Sequence, residues 1–270
     1  MNARTVFRVA AAVFKESVRD RVLYNLVGFA ILIIGASYLI GQLTAGQDVK
    51  IIKDLGLAAM SIFGLFISIF IGIGLVSKEV ERRSVYSVLA KPVRRSELVV
   101  GKYAGLVLTV LVNLAIMAVV LYLVLAYMDW MENPEAKKAW EAPATDPRML
   151  VAMFLIFVEL SLVIAIALFF STFSGPMLSA AFTFGLFVAG QFSADLKNFD
   201  MAVESKVATN IARGLYYVLP NFAVFDVKSA VVHGQPVSAA LVTMSLAYAG
   251  LYVVGLVLLA ALIFSRRDFK

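Results

Sequence analysis

The sequence predicts an all-α integral membrane protein with six transmembrane helices, a fold class that rests on three observations. The 270 residues are 61% hydrophobic and only 16% charged, against roughly 25% charged residues in an ordinary soluble domain. Long stretches carry no Asp, Glu, Lys or Arg: 22–47, 55–77, 103–128 and 174–194. Each is long enough to take about 20 residues across some 30 Å of hydrocarbon while a helix satisfies its own backbone. Transmembrane strands would be about half as long and would alternate.

Taken in order, the expected spans are about 22–45, 55–77, 103–128, 149–173, 175–194 and 237–264. The fourth is interrupted only by Glu159, and the last lies in the tract 229–265, which has none of the four charged residue types. The first apolar tract follows some twenty residues of charged amphipathic sequence, without a small-residue cleavage pattern in a suitable place, so a cleavable signal peptide is not expected. Cysteine is absent, which excludes disulfides, thiol chemistry and cysteine-ligated zinc or iron-sulfur sites. The whole chain, 1–270, is read as one transmembrane domain.

Six spans place both termini on one side of the bilayer, so the charges of the two sets of loops can be compared. Residues 1–21, 78–102 and 265–270 hold fifteen of the 24 Lys and Arg but six of the 18 acids. The positive-inside rule then makes both termini and the 78–102 loop cytoplasmic. The net charge of +6 is thereby a topological signal, and no nucleic-acid partner is needed to explain it.

Before the first span, Val6, Phe7, Val9, Ala10, Val13, Phe14 and Val18 share one half of a helical wheel. At about 100° per residue, Arg4, Arg8, Lys15 and Arg19 gather in an arc of about 60° on the other half. Residues 4–21 therefore read as an interfacial elbow helix, its basic stripe toward lipid phosphates or a cytoplasmic partner. An ordinary positively charged anchor is the plainer reading, and Arg21 and Tyr24 mark the turn into the membrane.

The 78–102 loop, KEVERRSVYSVLAKPVRRSELVVGK, is too patterned for a linker. Val80, Ser84, Val85, Val88 and Leu89 recur at helical spacing, so a short amphipathic helix is expected to run to about Ala90 and stop before Pro92. It restarts near Ser96 as an N-cap. Such a helix can rest on lipid headgroups or dock into a groove of a cytosolic protein. On the other side, 129–148 reads as an irregular loop with Trp130 and Trp140 at the interface. Residues 207–219 give a helical pattern too short to span, stopped by Pro220, lying in or dipping into the outer leaflet.

Chemistry of the self-contained kind is missing. The sequence has no GxxxxGKS/T phosphate loop, no GxGxxG and no HExxH, and the single His233 has no evident sequence partner, so neither a catalytic residue nor a metal site is expected in this chain. Glu159 stands out because an ionisable group in a span is costly and normally faces protein or water. Its two readings are a functional carboxylate and a group paired with polar neighbours such as Asn113 or Gln191. Gly101 and Gly105 form a GxxxG at the start of the third span, read as local packing within the subunit rather than as a dimer motif.

These features together resemble the permease subunit of type-2 ABC exporters. The elbow segment FKESVRDRV (14–22) is similar to the family's N-terminal elbow. The run Glu81, Arg82, Arg83, Ser84, then Leu89, Ala90, Lys91, Pro92, Val93, Arg94, Arg95, and later Gly101 and Lys102, resembles its coupling-helix signature. The C-terminal FSRRDF (264–269) is typical as well. LPNFAVFD (219–226) looks most like the permeases grouped with copper-enzyme maturation and gliding motility.

The resemblance implies a plasma-membrane protein of a prokaryote, the bacterial inner membrane, that pairs with a second permease copy or homologue. It also implies a dimer of separately encoded cytosolic ATPase subunits that would supply ATP and Mg, with periplasmic or outer components as further partners. Arg82, Arg83, Val85, Leu89, Arg94 and Arg95 would form the ATPase-docking contact. Export or mechanical work driven by ATP is the function implied. An ion-coupled secondary transporter or channel using Glu159 without an ATPase, and a purely structural scaffold, are the alternatives.

Overall fold

The computed structural model describes residues 2–43, 48–81, 94–138, 140–193, 214 and 219–266. Among them the chain is helical with no strand. Its helices are α1 (Ala3–Ser17), α2 (Arg21–Gly41), α3 (Asp48–Glu81), α4 (Arg95–Met131), α5 (Pro134–Lys137), α6 (Met149–Ser171), α7 (Pro176–Gln191), α8 (Lys228–Val232) and α9 (Ala239–Arg266). Five of these, α2, α3, α4, α6 and α9, are long and apolar enough to cross a membrane. The expected fifth span, 175–194, corresponds to α7, which has 16 residues. At 1.5 Å per residue it is about 24 Å long, short of the hydrocarbon thickness.

Local sequence sets where the chain bends. Asp20 Oδ1 accepts the Val22 N–H at 3.0 Å, an N-cap that ends the elbow region and begins α2 at Arg21. The elbow helix itself ends at Ser17. Helix α4 begins one residue before Ser96, after Arg94 in extended conformation. Pro176, at the first turn of α7, costs no hydrogen bond there. Helices α3 and α4 both outrun the apolar stretches that define the spans, by taking in Lys50, Lys53 and Asp54 at one end of α3 and Asp129 and Trp130 at the end of α4.

Helix α6 is the axis of the bundle. It packs against α3, α4, α7 and α9, and 72% of its most apolar 18-residue window is buried, against 22% for α9. That contrast explains why α6 has almost no amphipathic bias: a helix enclosed all round needs none. Between apolar helices in lipid there is no hydrophobic force of the aqueous kind, and attraction comes from van der Waals packing at close approach. Helix α3 obtains that approach from three glycines spaced by eight residues. Eight residues advance the facing direction by about 80°, and the neighbours turn accordingly. Gly56 lies against Leu121 of α4, Gly64 against Leu160 of α6 with Leu114 of α4 beside it, and Gly72 against Ala167 of α6.

The two ends of the bundle differ. At one end, here called the junction face, α1, the first turns of α4 and the end of α9 come together. At the other, Lys53, 1% exposed, donates from Nζ to Pro143 O at 2.6 Å. The Tyr122 hydroxyl donates to Asp146 O at 3.0 Å, and the Arg148 guanidinium to Gly234 O. These bonds tie the 132–148 connection onto α3, α4 and the turn after α8. In that turn Gly234 has φ +69°, and Gln235 N–H reaches back to Ala230 O at 2.8 Å, a Schellman closure that favours glycine. Trp130 belongs to α4, 80% exposed, in line with Tyr127 and Tyr38 at centroid spacings of 6.4 and 5.5 Å, as in an interfacial aromatic belt.

Filling the α3 contact tests this packing. Gly64→Leu should lower stability by roughly 1–3 kcal/mol, the usual cost of overpacking, read as a fall in melting temperature of the detergent-solubilised protein. Gly28→Ala, at a position open to its surroundings, should leave the melting temperature unchanged.

Candidate functional site

Two places hold the residues singled out from sequence. The first is the junction face. The amphipathic pattern of α1 turns Val6, Val9, Ala10 and Val13 toward α4, with Val13 6% exposed, while Arg4, Arg8 and Phe7 remain exposed. On α4, Gly101 and Gly105 present bare backbone to this stripe. A Cβ on Gly101 would lie 2.7 Å from Val9 Cβ, and one on Gly105 2.6 Å from Ala10 O and 2.7 Å from Val13 Cβ. The GxxxG is therefore the seat of the elbow helix, an intrachain contact.

A polar clamp sits one turn earlier. The Asn2 N–H donates to Glu97 Oε1 at 2.7 Å, and Asn2 Oδ1 caps α1 by accepting the Arg4 N–H at 3.2 Å. Glu97 is buried, and its carboxylate beside the N-terminus of α1 also meets the positive end of that helix dipole. Glu97 gives no local signal in sequence, because its partner lies 95 residues away and it is one of three acids in the 78–102 loop.

Arg94 and Arg95 separate in role. Arg94 is exposed and leads into α4 without capping it through its side chain. Arg95 Nη1 donates to Ser265 O at 3.0 Å and to Phe264 O at 3.3 Å, engaging the terminal carbonyls of α9, where a cation is favoured by the helix dipole. Val99, Ala165, Leu168, Ala260 and Phe264 close a small core beneath it. Arg82, Arg83, Val85 and Leu89, together with the expected 80–90 helix beyond Glu81, lie outside the described residues, as does nearly all of the 207–219 pattern.

The second place is inside the bundle. Glu159, 6% exposed on α6, accepts from Gln191 Nε2 of α7 at 2.8 Å. Asn113, also buried, instead donates to Thr109 O of its own helix at 2.7 Å. The charges of Lys228 and Asp226 act on Glu159 with opposite sign. Lys228 Nζ itself reaches Ser61 Oγ of α3 at 3.2 Å and Asp226 Oδ1 at 3.9 Å.

What carries Lys228 inward is the segment from Pro220. Phe222 and Phe225 are almost wholly buried, and Phe222 N–H donates to Gly190 O at 3.1 Å. Asn221 N–H donates to the Tyr248 hydroxyl at 2.7 Å. An aromatic series Phe187, Phe222, Phe225, Tyr248 and Tyr252 joins α7 to α9 through this segment at spacings of 4.9 to 6.5 Å. The sequence motif LPNFAVFD is thus a plug for the bundle, and Lys228 is a contributor to the Glu159 surroundings that the sequence alone did not suggest. Among the described residues no cluster of His, Cys, Asp and Glu is suited to a metal ion.

The Glu159 pair yields a stability test. Gln191→Leu removes the donor and leaves a buried carboxyl oxygen unsatisfied, at a cost of about 1–3 kcal/mol. Glu159→Gln keeps an acceptor oxygen at the same place and should cost less. Parallel thermal unfolding of the two variants in one detergent checks the order.

No curated protein matches the chain. The model for the family described as ABC-2 family transporter protein matches residues 8–269, a span that takes in the elbow helix from Arg8 onward, the described membrane helices and the plug. On that match the chain belongs to the ABC-2 transporter family, and it is a multi-pass membrane protein, the permease subunit of an ABC transporter.

Proposed function

We propose that this permease converts ATP hydrolysis by a separate cytosolic ATPase dimer into export or mechanical work, with the junction face on the cytoplasmic side of a bacterial inner membrane. A second permease copy or homologue completes the membrane unit, periplasmic or outer components can attach on the far side, and ATP and Mg are held by the ATPases. The absence of a phosphate loop from this sequence fits that division of labour.

The observation that carries the reading is the first three turns of α4. Within Arg95–Gly105 they engage the elbow helix at Glu97, Gly101 and Gly105 and the end of α9 at Arg95. A push delivered through residues 82–94 meets two continuous helices, α3 running to Glu81 and α4 from Arg95. Because α1 and α9 are fastened to α4 by close packing and hydrogen bonds, they move with it rather than yielding locally. Arg82, Arg83, Val85 and Leu89 are the proposed docking residues, with Arg94, exposed beside them in sequence, at the edge. Arg95 serves from the inside, by holding α9.

Alanine at Val85 and Leu89, or charge reversal at Arg82 and Arg83, should abolish copurification of the ATPase or uncouple its hydrolysis while the melting temperature stays within a few degrees. Coupled ATPase activity retained through all four changes would overturn the docking assignment. Gly105→Val should keep the ATPase bound yet reduce coupling, because the elbow can no longer seat; it is measured as stimulated ATPase turnover in proteoliposomes. The alternative of ion-coupled transport without an ATPase rests on the buried Glu159 alone, and the family match and the Gln191 pairing both weigh against it. Under that alternative Glu159→Gln eliminates transport and its pH dependence, whereas ATP-driven work survives the change.

A further inference from the structure

The elbow helix leans along α4, and its contacts advance in step with that helix. Asn2 meets Glu97, Val6 and Val9 meet Gly101, and Ala10 and Val13 meet Gly105, so α1 and α4 run in the same direction where they touch. Asp20 then caps α2, and the elbow ends where a membrane-crossing helix begins. A helix seated this way turns the face opposite α4 sideways, away from the protein, at the level where the chain enters the bilayer. That outward face is basic. At about 100° per residue, Arg4, Arg8 and Lys15 stand roughly opposite Val6, Val9, Ala10 and Val13. All three bases are exposed, as is Arg19 in the turn that follows, and among the described residues none of the four is held in an ion pair. Glu16, the one acid of α1, lies about a quarter turn round from the stripe, and Asp20 is engaged at the start of α2. Beside the stripe, Phe7 is 75% exposed and with Phe14 and Val18 makes an apolar edge.

We infer that this outward stripe of the elbow helix binds anionic phospholipids, of the phosphatidylglycerol type, in the membrane leaflet at the junction face. The helical wheel by itself leaves a cytoplasmic protein as the other partner. The seat on Gly101 and Gly105 favours lipid, because a face turned sideways at the membrane boundary meets headgroups. Charge agrees with this, since four exposed bases without ion-pair partners attract an anionic surface, and a guanidinium donates paired N–H groups to phosphate oxygens. The apolar edge agrees as well. An exposed phenylalanine gains nothing in water, whereas beside a basic stripe it enters the boundary between headgroups and acyl chains, as in helices that lie in the interface. The inference needs only the membrane position of the elbow and is independent of how the ATPase docks, since the proposed docking residues belong to another segment.

The test is native mass spectrometry of the detergent-purified full-length permease after exchange into equimolar dioleoyl phosphatidylglycerol and phosphatidylcholine. Phosphatidylglycerol should be retained in excess. Arg4→Gln with Arg8→Gln, and separately Lys15→Gln with Arg19→Gln, should each lower the ratio of phosphatidylglycerol to phosphatidylcholine by about fivefold or more, the factor that one basic side chain near an anionic surface contributes. The two pairs occupy opposite ends of the stripe, so if one variant loses its fold, as judged by melting temperature, the other still decides. Lys138→Gln, at an exposed base beyond the far end of α4, should leave the ratio unchanged; an equal fall there overturns the inference by showing a general effect of charge. Equal retention of the two lipids by the unaltered protein, or an unchanged ratio in a folded stripe variant, also overturns it. Loss of ATPase copurification in the stripe variants with no change in the lipid ratio overturns it in favour of a protein partner. Soluble glycerophosphoglycerol displacing no lipid at millimolar concentration supports a lipid ligand; displacement as effective as that by phosphatidylglycerol overturns the lipid assignment in favour of a free phosphate compound.

Discussion

An apolar helix gains nothing by leaving lipid for the side of another apolar helix unless the two fit closely, and this constraint governs the whole molecule. The fit is made where side chains are missing. Gly56, Gly64 and Gly72 bring α3 against α4 and then α6, and with α3 fixed, α6 becomes the enclosed axis on which α7 and α9 pack. Gly101 and Gly105 repeat the device at the junction face for a helix that is amphipathic rather than apolar. There the same bare backbone lets α1 lie close to α4 while its basic stripe stays exposed.

The two ends of the bundle use polar groups differently. At the junction face the hydrogen bonds go to helix ends: Glu97 to the start of α1, Arg95 to the end of α9. Both complement helix dipoles, and both originate from the beginning of α4, so that a single rigid rod gathers elements far apart in sequence. Deeper in the bundle the polar contacts form around a carboxylate. Glu159 is served by Gln191 and lies in the field of Lys228 and Asp226, which the aromatic plug delivers. The first arrangement fastens three helix ends to one another. The second fixes how α6, α7 and the plug sit against one another.

Much of the architecture was legible in sequence because its causes are local. Spans follow from charge-free length, the elbow from a wheel with bases on one side, and the turn into the membrane from Arg21 and Tyr24. The shortness of α7 was less legible, since an uncharged run shows where a helix can lie in lipid but not how many of its residues are wound. The seat of the elbow was visible only as a GxxxG whose partner is not written next to it. Glu97 with Asn2, and Lys228 with Ser61, are pairs separated by 95 and 167 residues, and no local pattern announces them.

Sequence by itself determined that the chain lives in a membrane and that it is helical. Those conclusions depend on totals and lengths: hydrocarbon demands some twenty residues without charge, and only a helix satisfies its own backbone over such a run. Tertiary structure alone decided which helix is central, that the GxxxG holds the elbow, and that Arg95 bonds to the end of α9 while its neighbour Arg94 stays exposed. It also decided that Gln191, and not Asn113, completes Glu159. The physical reason is that close packing and hydrogen bonding require atoms within a few ångströms of each other, and only the folded chain brings residues so distant in sequence to that range.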